Sequence, residues 1–496
     1  MINTSLSFAY GGLNIADPLD NMLPQYALEM DNVIPEPSGD RVRNGFLQRV
    51  DNVGYAKALA INIAGNERLV CATDEKLDIY DVTNFTIAPV TKSGFSSSNW
   101  LNCNFTDGSG VQHVFFANGA DTPQDFTVAN GMTDTSLTIP QGVLLSHPLA
   151  FKNRLYFISG DFTLSYTGVQ SISGQLTAFS MGSFFKKGGK LITIANWTQD
   201  AGQGVDDLLV LISSEGEVMI YSGTDPEAND WSTKGVFQIP KPIGNNCCAT
   251  FGADLVVITE KGYLPLSNVL SDIRANRAGI SQKVDGITKG RNVNKNWEIH
   301  FSPKRGWLII NAPSLLAGYA YEQHVLNTET NAWCRFIGMD SNSWAEVLDR
   351  LFFVNGDGIF EADVGSTDNG AYIVFSVQRA YNRFGLNYKK QLMEIDPLFY
   401  TETSSLLELY KRIDVDFMAG KNKKMTVYQS AGNYSSWDTA IWDESFWSDE
   451  FSAYKFRGRV SSKAGLHISI GCYGRCKTPV TFYSLGLILK EGLGHI

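Results

Sequence analysis

The chain has 496 residues, a formal net charge of −10, 44% apolar residues and 19% charged residues. That length and apolar content suit two or three domains, or one large β-architecture with appendages. The acidic balance excludes a protein that grips nucleic acid by neutralising phosphates, which needs clustered Lys and Arg. High Gly (46 residues) and 12% aromatics, with frequent Val, Ile and Thr, favour strands joined by tight turns.

In chain order, the N-terminus MINTSLSFAYGG has no basic region ahead of an apolar core, so no signal peptide is expected. No stretch approaches ~18 apolar residues, so no stable membrane insertion is expected. The rest of residues 1–51 contains Pro18, Pro24, Pro35, Pro37 and several Gly without a sustained period. This reads as an extended arm with turns. In RVRNGF, Arg41 and Arg43 alternate on one face of an extended chain. They are expected to pair with carboxylates on the next domain or on a neighbouring copy. Gly45 is expected to permit a sharp turn into that next domain.

Residues 52–365 carry a repeat. NERLVCATDEKLDIY (66–80), KNRLYFISGDFTLSY (152–166), DDLLVLISSEGEVMI (206–220), GADLVVITEKGYLPL (252–266) and LDRLFFVNGDGIFEA (348–362) align without gaps. One column holds Leu69, Leu155, Leu209, Leu255 and Leu351. Two weaker copies place Val114 and Trp307 in it, and Gly216, Gly262 and Gly358 share a later column. Each copy reads as an apolar strand, a polar turn with Gly and a second strand. Column positions 69, 114, 155, 209, 255, 307 and 351 are 41 to 54 residues apart, close to the roughly 40–50 residues of a four-stranded propeller blade. The expected fold is all-β: a seven-bladed (six to eight) β-propeller behind the arm. The alternating segments of residues 366–496 are expected to form a C-terminal β-rich, sandwich-like domain.

That last domain holds SSWDTAIWDESFWSDEF (435–451), with Trp437, Trp442 and Trp447 five residues apart and Asp438, Asp443 and Asp449 beside them. A five-residue step puts neighbours on opposite faces of a strand and about 140° apart on a helix. One regular element therefore cannot present them as a flat sugar platform. Repeated Asp-led turns with inward-packed Trp are the expected reading.

Motifs that carry chemistry are missing. There is no Gly-rich phosphate loop before a helix and no G-x-S-x-G elbow. Ser183 and Lys186 form an S-x-x-K without companion motifs. His113, His147, His300, His324, His467 and His495 are scattered, and Cys472 and Cys476 in CYGRC have no second pair to complete a zinc site. The seven Cys lack paired extracellular spacing, which implies reduced thiols made in a cytoplasm. Catalytic, cofactor-binding and metal residues are all expected to be none.

The WD…WD…W stretch resembles a segment in the C-terminal domain of the tail nozzle proteins of short-tailed bacteriophages, also called tail tubular protein B or tail hub proteins. The arm is similar to theirs as well, through Gly12, Asn14, Pro18, Ala27, Leu28, Asp31, Asn32, Pro35, Arg41, Arg43, Gly45 and Phe46. Residues 464–494 resemble the closing strands of that family, with Glu491, Gly492, Leu493, Gly494 where the family has a Glu-Gly-Gly-like stretch. The resemblance implies a structural virion protein, assembled in the host cytoplasm as a homohexamer below the portal and adaptor rings. Its partners would be the adaptor ring, tail fibres or other tail proteins, and double-stranded DNA that passes without specific binding. The alternatives are a propeller that binds or cleaves glycans and a cellular propeller scaffold for peptides.

Overall fold

The structure, a computed structural model, describes residues 1–51, 53–85, 90–200, 205–224, 226–267, 280–284, 286–402, 404–425, 453–455, 458–460 and 462–491. The protein is all-β: its secondary structure is almost wholly strand, with short 3-10 turns at Gln282–Val284 and Ser404–Leu406. Among the described residues no helix is long and apolar enough to cross a membrane. The chain forms two compact units. The smaller comprises Met1–Leu47, Gln323–Met339 and Asp363–Ile496; the larger comprises Gln48–Glu322 and Asp340–Ala362.

The larger unit is a succession of antiparallel strand runs, most of them separate sheets of three or four strands. Their first strands are Lys57–Ile63, Leu101–Thr106, Ser146–Phe151, Leu191–Asp200, Cys248–Phe251, Glu298–Ser302 and Ser343–Val347. Each pairs with the strand after it in the chain. The repeat column falls on those second strands, at Leu69, Val114, Leu155, Leu209, Leu255, Trp307 and Leu351, and every one of these side chains is buried. The turn glycines Gly216, Gly262 and Gly358 all have positive φ. At Gly358 a Cβ would also lie 1.9 Å from the Val50 carbonyl oxygen.

Neighbouring sheets pack face to face. Val70 and Ile79 meet Val114 and Phe116, Phe115 and Ala117 meet Leu155 and Phe157, and Tyr156 and Tyr166 meet Leu209 and Tyr221. The first strands touch in chain order, and Ser343–Val347 returns to touch Lys57–Ile63. Leu69 and Tyr80 therefore share a core with Phe352 and Ile359. The final sheet, Ser343–Val347, Arg350–Asn355 and Gly358–Ala362, takes its fourth strand, Phe46–Asp51, from the beginning of the chain.

In the smaller unit the long strands Lys390–Thr401 and Val480–Glu491 pair antiparallel. Ile2–Ser7 and Gly39–Val42 join the second of these. Another sheet runs through Ala332–Phe336, Gly12–Leu13, Tyr26–Asp31, Ile373–Arg379, Ile468–Cys476 and Leu407–Val415. Leu392, Ile395, Leu485 and Leu487 of the first sheet share a core with Ile468 and Ile470 of the second. The first 47 residues thus supply strands to both sheets.

Candidate functional site

Within the larger unit, the first strands line a cavity of about 460 Å³. Lys57, Asn102, His147, Asn196, Glu298, His300 and Trp344 line it, together with backbone from each of those strands. The Lys57 ammonium donates to Glu298 Oε1 at 2.5 Å. Ser343 Oγ donates to the same oxygen at 3.1 Å, and the Trp344 N–H donates to Oε2 at 3.0 Å. Lys57 and Glu298 are only 5% and 8% exposed at their side chains. One carboxylate thus ties together three first strands, at the place where the succession of sheets returns to its start.

Amides make further ties between neighbouring first strands. Asn102 Nδ2 donates to Ala60 O at 3.1 Å, Asn104 Nδ2 to Asn62 O at 3.0 Å, and Asn196 Nδ2 to Ala150 O at 2.7 Å. His147, at φ 52, places Nε2 3.3 Å from Asn245 O. Burial holds the imidazoles of His147 and His300 neutral, lowering each pKa to about 4, and the Lys57 charge adds to the effect. The cavity therefore holds one compensated ion pair, neutral imidazoles and amides committed to backbone carbonyls. This chemistry fastens strands.

The arm residues that carry the family resemblance form a second polar centre, inside the smaller unit. Asn32 adopts φ 57 and donates from Nδ2 to Ile337 O at 2.9 Å and Val374 O at 2.7 Å. Its Oδ1 accepts from the Ile337 N–H at 2.8 Å and from Arg43 Nε at 2.8 Å. Arg43 then grips Asp368 with both Nη atoms, each at 2.8 Å. Asp31 receives the guanidinium fork of Arg335 at 2.7 and 2.9 Å, and Pro35 O accepts from Asn327 and Thr330. Asn14, fully buried, caps Ala16 and Asp17.

Two details differ from the sequence expectation. Arg41 and Arg43 do pair with carboxylates, but these are Glu36 and Asp368, both within the smaller unit. Gly45 is needed for close approach rather than for a turn with positive φ, since a Cβ there would lie 1.8 Å from Thr367 O. Trp437, Trp442 and Trp447 and their Asp neighbours lie outside the described residues.

All seven cysteines are free, and burial pushes the thiols of Cys103, Cys247, Cys472 and Cys476 up to about 12. Such thiols are poor nucleophiles. Among the described residues no group of three or more His, Cys, Asp and Glu side chains is arranged to hold a metal ion. His113 Nδ1 lies 2.9 Å from the Asp125 carboxylate, and His113 lines a second cleft. Sequence reasoning had no signal for Lys57, Glu298 or Asp368 because their partners are hundreds of residues away. No family model matches the chain, and no curated protein does.

Proposed function

We propose that this chain is a structural tail nozzle protein of a short-tailed bacteriophage. Copies of it, six expected, form a ring below the portal and adaptor rings, retain the genome, carry fibres or other tail proteins, and become the conduit for ejection. Within it we read the larger unit as a seven-bladed β-propeller and the smaller as a β-sandwich. The cyclic order of first-strand contacts and the borrowed strand Phe46–Asp51 support the propeller. The two sheets with a shared core support the sandwich.

The observation that carries the functional reading is what the arm residues are used for. Asn14, Asp31, Asn32, Pro35, Arg43 and Gly45, which carry the resemblance, are committed to buried brackets and close backbone approach. Their polar groups point at one another and at backbone, as a building block requires. A cavity of about 460 Å³ is in the small-molecule range of ~300–1,000 Å³ and does not pass a duplex. The DNA path in this reading is therefore the axis shared by the copies, and not the axis of one propeller.

A second reading, a glycan-binding propeller, is favoured by one feature. A cleft of about 700 Å³ gathers the exposed amides of Asn62, Asn104, Asn153 and Gln170 beside Lys152 and Asp207. Light scattering after size-exclusion chromatography, with turnover and binding assays on host polysaccharide, separates the two. A large ring without turnover supports the nozzle; a monomer that binds or cleaves glycan supports the alternative.

A further inference from the structure

The arm presents an unusual surface. Residues 1–16, MINTSLSFAYGGLNIA, contain no charged side chain, in a chain that is 19% charged. Tyr10, Ile15, Leu19 and Leu23 are 50%, 45%, 44% and 55% exposed. The loop that carries them is not loosely attached. Asp40 Oδ2 accepts the Ala9 N–H at 2.7 Å, the Gly11 N–H reaches Gln25 O at 2.9 Å, and Arg379 donates to Ser7 O and to Pro24 O. The buried Asn14 caps one turn, Met22 is sunk in the core, and the Asn21 and Met22 N–H groups both bond Pro18 O. Apolar side chains held out to water on a fixed backbone are a preorganised contact surface.

The strand at the start of the same segment is also unfinished. Ile2–Ser7 pairs along its whole length with residues 484–489. Among the described residues no strand pairs its other edge. INTSLS has no Lys, no Pro and no bulge, so it lacks the devices that protect an edge from strand addition.

We infer that this arm surface, the open edge of Ile2–Ser7 with Tyr10, Ile15, Leu19 and Leu23, is where one copy of the chain docks on the next. Charge selects the occupant. Each copy carries −10, so two copies repel least where a contact carries little charge, and between Met1 and Leu23 the only charged side chains are Asp17, which accepts from Asn14 Nδ2, and Asp20. A strongly basic or acidic partner would instead be recognised by a cluster of charged residues, and this segment carries only those two. The inference rests on the ring reading and gives that ring its contact.

The test is mass photometry and light scattering of the full chain against two double variants, Asn3→Lys/Ser5→Lys at the edge and Leu19→Glu/Leu23→Glu on the loop. These side chains are exposed or nearly so, and each variant should melt within a few degrees of the wild type. We expect a ring from the wild type and at least a tenfold loss of assembly in both variants. As an independent readout, the thiol introduced by Leu23→Cys should react with a maleimide at least tenfold more slowly in the assembly than in the dissociated chain. Rings that persist in folded variants, or an introduced thiol equally reactive in both states, would overturn the docking surface and leave the nozzle reading standing. A wild type that never assembles would instead count against the ring itself.

Discussion

Replacing Glu298 by Ala should be among the most damaging single changes in the larger unit. The substitution removes the counterion of Lys57, whose side chain is 5% exposed, and strands an ammonium in a buried setting. It also removes the acceptor of the Trp344 N–H, while Ser343 Oγ keeps Ala58 O at 3.3 Å. Breaking a buried pair by deleting one partner costs about 3–5 kcal/mol, mostly through the charge left behind. Lys57→Met should cost less, since Glu298 retains two donors. The double variant Lys57→Met/Glu298→Ala should fall short of the sum by ~0.5–3 kcal/mol. Urea unfolding followed by near-UV circular dichroism gives all three values, with Trp344 as a reporter beside the site. A Glu298→Ala protein within about 0.5 kcal/mol of the wild type, the range of ordinary surface changes, would refute the clasp.

Leu209→Ala should destabilise the larger unit by about 2–5 kcal/mol, as for a fully buried Leu, and denaturant titration would show it. Arg43→Lys should destabilise the smaller unit although the charge is kept, because a Lys cannot reproduce the fork on Asp368 and the bond to Asn32; a thermal melt equal to the wild type would contradict this. Burial raises the Asp40 pKa to about 7, so the folded state holds this proton more tightly than the unfolded chain does. Its contribution is fully present below about pH 4 and is lost as pH rises through about 7. Asp40→Asn should flatten that slope and melt above the wild type at about pH 8. The intact assembly should bind free duplex DNA weakly near physiological salt, given −10 per copy; fluorescence anisotropy showing tight binding with a steep salt slope would contradict a passive conduit.

The strand repeat was legible because a strand buried on both faces is a short continuous apolar run, here ahead of a polar turn. Leu69, Leu155, Leu209, Leu255 and Leu351 share one ungapped column and are all buried, and Gly216, Gly262 and Gly358 mark positive φ. What closes the succession was not legible. Phe46–Asp51 completes a sheet whose other strands begin at Ser343, and nothing in FLQRVD names its neighbour. The same holds for polar partners: Lys57 and Glu298 are 241 residues apart, and Arg43 and Asp368 are 325 apart. Their pairing is fixed by topology, since a carboxylate has no local signature of the cation it will meet. Ala332–Phe336 likewise reads as one more strand of the repeat region, and only its pairing with Gly12 and Asp31 reveals that it belongs with the chain's ends.

The measurement that bears most directly on the central proposal is negative-stain imaging of the purified full-length chain across a range of concentrations. The expected image is a closed ring, six-fold, with an axial opening wide enough for duplex DNA. A population of monomers at every concentration, joined by binding or turnover of host polysaccharide, would contradict it.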